Sequence, residues 1–325
     1  MKTNFTKGIG LLSILLILTL VVLTGCNNSN TEPKKEKTSE QTAKKEAFPI
    51  TITDDEGKKV KIEKKPEKIV SVTPSNTEIA FALGLEDQIV GVSDFDNYPQ
   101  EALKKEKVGA QELNIEKMLS LQPDLALLDT YHYKNHAEVI KQLKEAGTAV
   151  VIVNSTKNTF DQVYDSIELL GRATGTSKKA ETIVKDMKDK LAEVKEKAAK
   201  VKEKKRVWVE VAPQPDIYTT GKGTFMQEML DTIGAVNVAE GQQGWVKVNE
   251  EEAVKYNPDV VITTYGYYVK NSAQQVLSRK GWSAVPAVKN KQVFDVNSDT
   301  VTRPGPRLVE GVEALGKSIY PDIYK

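Results

Sequence analysis

Between Lys68 and Pro99 the apolar positions change period twice. Ile69, Val70 and Val72 form a β-branched run of the kind that buried strands use. Pro74 ends it, because proline has no N–H for a sheet ladder. Ser75-Asn76-Thr77-Glu78 fits a capping box, in which Ser75 accepts from the N–H three residues on and Glu78 reaches back. Ile79, Ala80, Ala82 and Leu83 then give a helix its apolar face, and Gly84 closes it. Ile89, Val90 and Val92 form a second strand, followed by the loop from Asp94 to Pro99. This is a β-α-β unit with helix N–H groups opening at a strand end, the edge where ligands collect in open α/β sheets.

The same alternation runs on. Ile50 and Ile52, a turn at Gly57, then Val60 and Ile62 predict a hairpin over Phe48 to Glu63. Asn114 can cap a helix carrying Ile115, Met118, Leu119 and Leu121, which closes before Pro123. Leu125 to Leu128 is a strand, Ala137 to Ala146 a helix ended by Gly147, and Ala149 to Val153 another strand. Short links between alternating elements indicate a mostly parallel sheet with helices on both faces. From Thr159 the period turns helical. The stretch Lys178–Lys205 holds no glycine or proline, which predicts a helix of about 25 residues, roughly 38 Å long. Its heptads are too few and irregular for a coiled coil, so it reads as a strut. Strands at Arg206–Val211, Val260–Ile262 and Val293–Val296 follow. Helices begin after Gly221-Lys222-Gly223 and after Asn249, and Leu308–Ile319 closes the chain. Trp208 and Trp282 read as packing residues. The fold class is α/β: two three-layer αβα lobes with parallel-rich sheets, joined by a single long helix. The N-terminal lobe spans 48–157, the helical linker 158–205 and the C-terminal lobe 206–325.

The segment ahead of these lobes changes the compartment. Lys2 and Lys7 precede a nearly continuous apolar run, Leu11 to Leu23, shorter than the roughly 20 residues a membrane span needs. It ends in Leu23-Thr24-Gly25-Cys26, which resembles a bacterial lipobox. Residues 1–25 are thus a signal peptide, and Cys26 a lipidation site that tethers the mature chain to a membrane. The other reading, a plain secretory signal, leaves an unpaired thiol in an exported protein. Cys26 is the sole cysteine, so no internal disulfide forms and the core is held by packing. Residues 26–47 are polar and lysine-rich and cannot bury enough surface to fold. A net charge of +1 gives no reason for a nucleic-acid partner. No Ser/His/Asp set, CxxC pair, Walker A loop or GxGxxG occurs, so nothing assigns catalytic residues.

Several stretches carry a family resemblance: VSVTPSNTEIAFALGLEDQIVGVSDFDNYP, LNIEKMLSLQPDLAL, DIYTTGKGTFMQEML, VNEEEAVKYNPDVVITT and FDVNSDTVTRPGPRLVEGVEAL. In order and spacing, from about Pro66 to Pro321, the chain resembles the substrate-binding proteins of ABC importers for cobalamin and ferric siderophores, and within them the BtuF-like branch. The resemblance implies a lipid-anchored, monomeric binding protein on the outer face of the cell membrane, its two lobes joined by one rigid helix with a ligand cleft between them. It would carry a cobalamin-type corrinoid to a permease driven by a separate ATPase, with a ferric siderophore or haem as the alternative ligand. It implies no cofactor and no resident metal. It places ligand contacts on Phe95, Tyr218, Trp245, Asp299 and Arg303, a set that suits a large, flat, mostly apolar ring with polar arms.

The resemblance is incomplete in the first lobe. Gly109-Ala110-Gln111-Glu112 lacks the family's tryptophan, and a second family aromatic falls near Asp129. The two histidines, His132 and His136, lie four apart, a spacing that can hold a metal on one helix face; two solvated histidines is the simpler expectation. Glu116 and Glu251 open helices at corresponding places in the two lobes, where acids favour the helix dipole. The resemblance implies that they also dock into arginine pockets on the permease.

Overall fold

The computed structural model describes residues 47–156 and 158–325. The signal segment, Cys26 and the tether through residue 46 lie outside them. The first hairpin pairs β1 (Ile50–Thr53) with β2 (Lys59–Ile62), Ile50 opposite Ile62, around Gly57 at φ 71°. A β-α alternation follows. It comprises β3 (Ile69–Ser71), α1 (Pro74–Ala82), β4 (Ile89–Val92), β5 (Glu106–Lys107), α2 (Ile115–Ser120), β6 (Leu125–Leu128), α3 (Thr130–Asn135), α4 (Ala137–Glu145) and β7 (Ala149–Ile152). Its five strands form one parallel sheet in the order β5-β4-β3-β6-β7. β3 and β6 are buried throughout, as strands covered on both faces must be.

Two helices lead out of this lobe, α5 (Phe160–Thr174) and α6 (Ser177–Ala198). The second lobe contains β8 (Arg206–Glu210), β9 (Ile217–Thr220), α7 (Phe225–Thr232), β10 (Val236–Asn237), β11 (Trp245–Val248), α8 (Glu250–Lys255), β12 (Val260–Thr263), α9 (Ser272–Leu277), α10 (Pro286–Lys289), β13 (Val293–Asp295), α11 (Ser298–Thr302) and α12 (Leu308–Ile319). Its parallel sheet runs β10-β8-β12-β13, and β9 and β11 form a separate antiparallel ribbon. The order β4-β3-β6-β7 of the first lobe thus recurs in the second.

α6 has 22 residues, about 33 Å at the usual rise, and stops short of the expected Lys205. Beyond Ala198 the chain turns, with the Val201 N–H on the Ala198 carbonyl. Val201 then packs on the core, a pull that periodicity does not register. On its buried face Ala180, Val184, Met187, Leu191 and Val194 join one continuous core that reaches into both lobes. Burying each of the larger ones contributes about 1.5–3 kcal/mol. α5 turns into α6 at Gly175, in the left-handed region at φ 68°. The two helices cross closely: a Cβ on Gly171 would stand 2.6 Å from the Ala180 Cβ. Trp208 and Trp282 are fully buried in a second cluster.

The start of α1 differs from the capping box expected of Ser75 and Glu78. The cap is Thr73, with Pro74 inside the first turn and no side-chain cap hydrogen bond. Proline suits that position because its missing N–H has no intrahelical partner to lose. Glu78 is thereby free to turn elsewhere. Asn114 and Asn249 do cap α2 and α8, the latter in a full capping box with Glu252.

Gly171→Val is expected to destabilise the protein by about 1–3 kcal/mol through overpacking at the α5–α6 crossing. A lowered urea midpoint with an unchanged slope would register it.

Candidate functional site

The loops at the carboxyl ends of the two parallel sheets meet one another. Asn97, after β4, donates from Nδ2 to Asp299 Oδ2 on α11 at 2.9 Å. Arg303 donates from Nη1 to Asn97 Oδ1 at 2.9 Å and to Glu78 Oε1 at 2.5 Å, and from Nη2 to Asp299 Oδ1 at 2.8 Å. Arg307 grips Glu78 with both arms of its fork, Nε to Oε2 at 2.8 Å and Nη2 to Oε1 at 2.7 Å. Its guanidinium carbon sits 3.8 Å from the Tyr98 ring centre. Burial opposes the charge on Arg307, and the hydrogen bonds and charge of Glu78 outweigh it, holding the guanidinium above its ordinary range. Two residues expected to hold ligand, Asp299 and Arg303, therefore already belong to a bridge between the lobes.

Three aromatic candidates stand exposed at these edges. Phe95 is 63% exposed on a loop stiffened from below. The buried Asp96 accepts from Ser93 N at 2.8 Å and Ser93 Oγ at 2.7 Å, and Lys107 Nζ donates to the Ser93 and Asp96 carbonyls. Burial pushes the Asp96 carboxyl above its usual range despite those bonds. Tyr218 and Trp245 come together on the β9–β11 ribbon. Lys247 lies opposite Tyr218 and Trp245 opposite Thr220, which puts both rings on one face as diagonal neighbours. Both are exposed, and Trp245 is the only exposed tryptophan of the three.

Sequence reasoning missed a further aromatic group. Tyr267, 78% exposed, and the exposed Tyr268 follow β12 and meet edge to face at 4.7 Å. Tyr131, also exposed, follows β6, the matching strand of the first lobe. The Tyr265-Gly266-Tyr267-Tyr268 run directly after a buried strand was the available signal. Its base is rigid. Tyr265 donates from its hydroxyl to Glu210 Oε1 at 2.6 Å, and Arg279 holds both Glu210 oxygens at 2.7 and 2.9 Å. Burial, with the Glu210 charge beside it, pushes the Tyr265 phenol well up. The Gly266 N–H donates to Asp295 Oδ1 at 3.0 Å, and a Cβ there would strike Asp295 Oδ2 at 2.0 Å.

His132 is buried, unlike the solvated residue expected. Its Nδ1 lies 2.7 Å from Asp129 Oδ1 and its Nε2 2.7 Å from the Ala110 carbonyl. Both partners only accept, an arrangement that favours the doubly protonated ring. It pins the short loop that lacks the family's tryptophan. Burial works against the charge, but the bonds to Asp129 and Ala110 outweigh it and raise the His132 pKa; the Asp129 carboxyl is lowered in turn, His132 overcoming the effect of burial. His136 lies 5.7 Å from it, ring centre to ring centre. Among the described residues, no group of three or more His, Cys, Asp or Glu could hold a metal ion. Glu116 and Glu251 occupy the second positions of α2 and α8, each behind an asparagine cap and each exposed. Glu252 is tied back into its capping box and Glu251 is not, which separates the two.

Two parallel sheets bridged by one long helix, with aromatic loops at their facing carboxyl edges, define a solute-binding protein of the class III periplasmic type. Residues 69–300 match the model of the periplasmic binding protein family, and the chain belongs to that family. It is a binding protein and not an enzyme. It is 50% identical over 95% of its length, and 96% of the relative's, to the uncharacterized ABC transporter substrate-binding lipoprotein YvrC of Bacillus subtilis strain 168. It is 30% identical to the vitamin B12-binding protein of Vibrio cholerae, over 77% of this chain and 87% of that one. A crystal structure described as a possible iron-binding (periplasmic solute-binding) protein from Staphylococcus epidermidis ATCC 12228 is 36% identical, with a TM-score of 0.71, covering 79% of this chain and all of that one. Among the described residues no helix is long and apolar enough to cross a membrane.

The His132–Asp129 pair makes a pH prediction. A raised imidazole pKa contributes stability that is complete below the ordinary value of 6.5 and is lost as pH rises through the raised one. The lowered Asp129 contributes above its ordinary 3.8 and fails only in stronger acid. The loss of stability in His132→Gln should therefore be largest near pH 5–6 and shrink toward pH 9, read from urea midpoints across that range. A loss independent of pH would mean that the ring acts by packing alone.

Proposed function

We propose that this chain is the extracytoplasmic solute-binding lipoprotein of an ABC importer, held on the outer face of the cell membrane by lipid on Cys26. It captures a cobalamin-type corrinoid in the cleft between its lobes and hands it to a permease. The observation that carries this reading is the set of exposed rings at the carboxyl edges, Phe95 from one lobe and Tyr218 with Trp245 from the other. Flat apolar faces of this kind cover a large macrocycle, while a few polar groups, Asp299 and Arg303 among them, meet its rim. The relatives support it: one is a B12-binding protein and another an ABC transporter lipoprotein.

The Staphylococcus structure, described as possibly iron-binding in its own right, favours a second reading. In it the same cleft takes a ferric siderophore or haem for iron uptake. Tyr131, Tyr267 and Tyr268 suit either reading, since every one offers a ring face and a hydroxyl donor.

Delivery needs a docking surface. Glu116 and Glu251 sit at equivalent positions of the repeated lobes, so two acids present a paired pattern whose spacing follows the lobe geometry. A basic permease surface can read that pattern. The protein acts as a monomer in this scheme and binds no nucleic acid.

Titrating tryptophan fluorescence with cyanocobalamin, cobinamide, a ferric hydroxamate and haem tests the ligand. Trp208 and Trp282 are buried, so the part of the quenching that disappears in Trp245→Ala is the part that reports on Trp245. Trp245→Ala is expected to weaken binding at least tenfold with little change in stability; unchanged affinity would remove Trp245 from the site. Changing Glu116 and Glu251 together to alanine should spare ligand binding and impair cellular uptake, and normal uptake would sink their docking role.

A further inference from the structure

Taking the cleft as the ligand site, as proposed above, we infer that it selects a ligand with no net negative charge. Arginine is the side chain that grips carboxylate, phosphate or catecholate oxygens with two parallel hydrogen bonds. The chain has five arginines. Arg172 lies on α5 beside Glu168, and Arg206 opens β8, donating to the Tyr256 carbonyl; neither is at a carboxyl edge. The other three are, and each is already matched. Arg279 closes on Glu210 with side chains 5% and 0% exposed. Arg303 and Arg307 share Glu78 and Asp299, two guanidiniums against two carboxylates.

Several other cations near these edges are also engaged. Lys247 pairs with Asp216 at 2.5 Å, Lys107 is turned onto backbone carbonyls, and His132 lies against Asp129. Lys222 and Lys270 are exposed lysines, not guanidiniums, and the carboxylates Asp94 and Glu112 on the first-lobe loops are exposed too. An anionic ligand that recruited Arg303 would have to pull it from Glu78, whose side chain is 2% exposed, and from Asp299, leaving the buried carboxylate to Arg307 alone. Giving up one partner of a buried charge is unfavourable. The cleft therefore offers ring faces and neutral donors, which fit an uncharged corrinoid or an uncharged ferric hydroxamate. A haem with ionised propionates or a ferric tricatecholate would find no free guanidinium.

The test compares cyanocobalamin, a neutral ferric trihydroxamate, haem and a ferric tricatecholate on the purified full chain in detergent, with each titration corrected for ligand absorbance. A neutral ligand is expected to bind at least tenfold more tightly than either anionic one. Glu78→Gln and Asp299→Asn keep the side-chain shapes and release guanidinium charge, so each should shift the anionic-to-neutral affinity ratio about tenfold upward. Asp299 is part-exposed, so Asp299→Asn carries the test if Glu78→Gln does not fold. Haem or the tricatecholate as the best wild-type ligand, or an unchanged ratio in the folded variants, would overturn the charge rule while leaving the cleft as the binding site. Binding of none of the four would instead overturn the cleft reading itself, and the charge rule with it.

Discussion

A carboxylate buried between two lobes has few places to be. Glu78 is carried by the first helix of the first lobe, and burial of its charge is tolerable only with partners that satisfy it. Those partners, Arg303 and Arg307, come from the second lobe, 225 and 229 residues away along the chain. The lobes must therefore sit at one separation, with the carboxyl edges of both sheets turned toward each other. Such a bridge is weak evidence for stability, since a desolvated ion pair roughly offsets its own cost. Its effect is on geometry, and the α5–α6 packing under Gly171 acts in the same direction.

Exposed aromatic rings make a useful binding surface only if their backbones hold still, because every side chain ordered on binding subtracts from affinity. Each cleft loop has its own support. Asp96 gathers the N–H and hydroxyl of Ser93 beneath Phe95. The antiparallel register of β9 and β11 sets Tyr218 beside Trp245. The buried Glu210–Arg279–Tyr265 group and the Gly266–Asp295 contact hold the loop under Tyr267 and Tyr268. His132 fastens the short Ala110 loop to Asp129. The polar groups of the cleft are thus mostly occupied in holding up the apolar ones. This division of labour leaves ring faces pointing outward.

The repeated strand order of the two lobes has a consequence for symmetry. Equivalent crossovers put α2 and α8 at equivalent places, each with an asparagine cap and a free acid at the second helical position. Equivalent strands, β6 and β12, likewise lead to exposed tyrosines, Tyr131 on one side and Tyr267 with Tyr268 on the other. The missing first-lobe tryptophan is therefore not an absence of aromatic surface, because Tyr131 supplies some of it one strand away.

Local pattern determined much of this protein. The β-branched runs became the buried strands, and Asn114 and Asn249 became helix caps. Leu308–Ile319 became the closing helix, and Trp208 and Trp282 went into the core. These outcomes depend on period, propensity and hydrogen bonds between near neighbours, all of which are present in a short stretch of chain. The partners of Glu78, the burial of His132, the pairing of Tyr218 with Trp245 and the end of α6 at Ala198 were decided elsewhere. Each depends on which distant segment arrives alongside, and a buried charge or an antiparallel register has no local signature. Glu78 shows the difference most clearly: its neighbours in sequence offered it a capping role, and only the approach of the second lobe gave its charge two arginines.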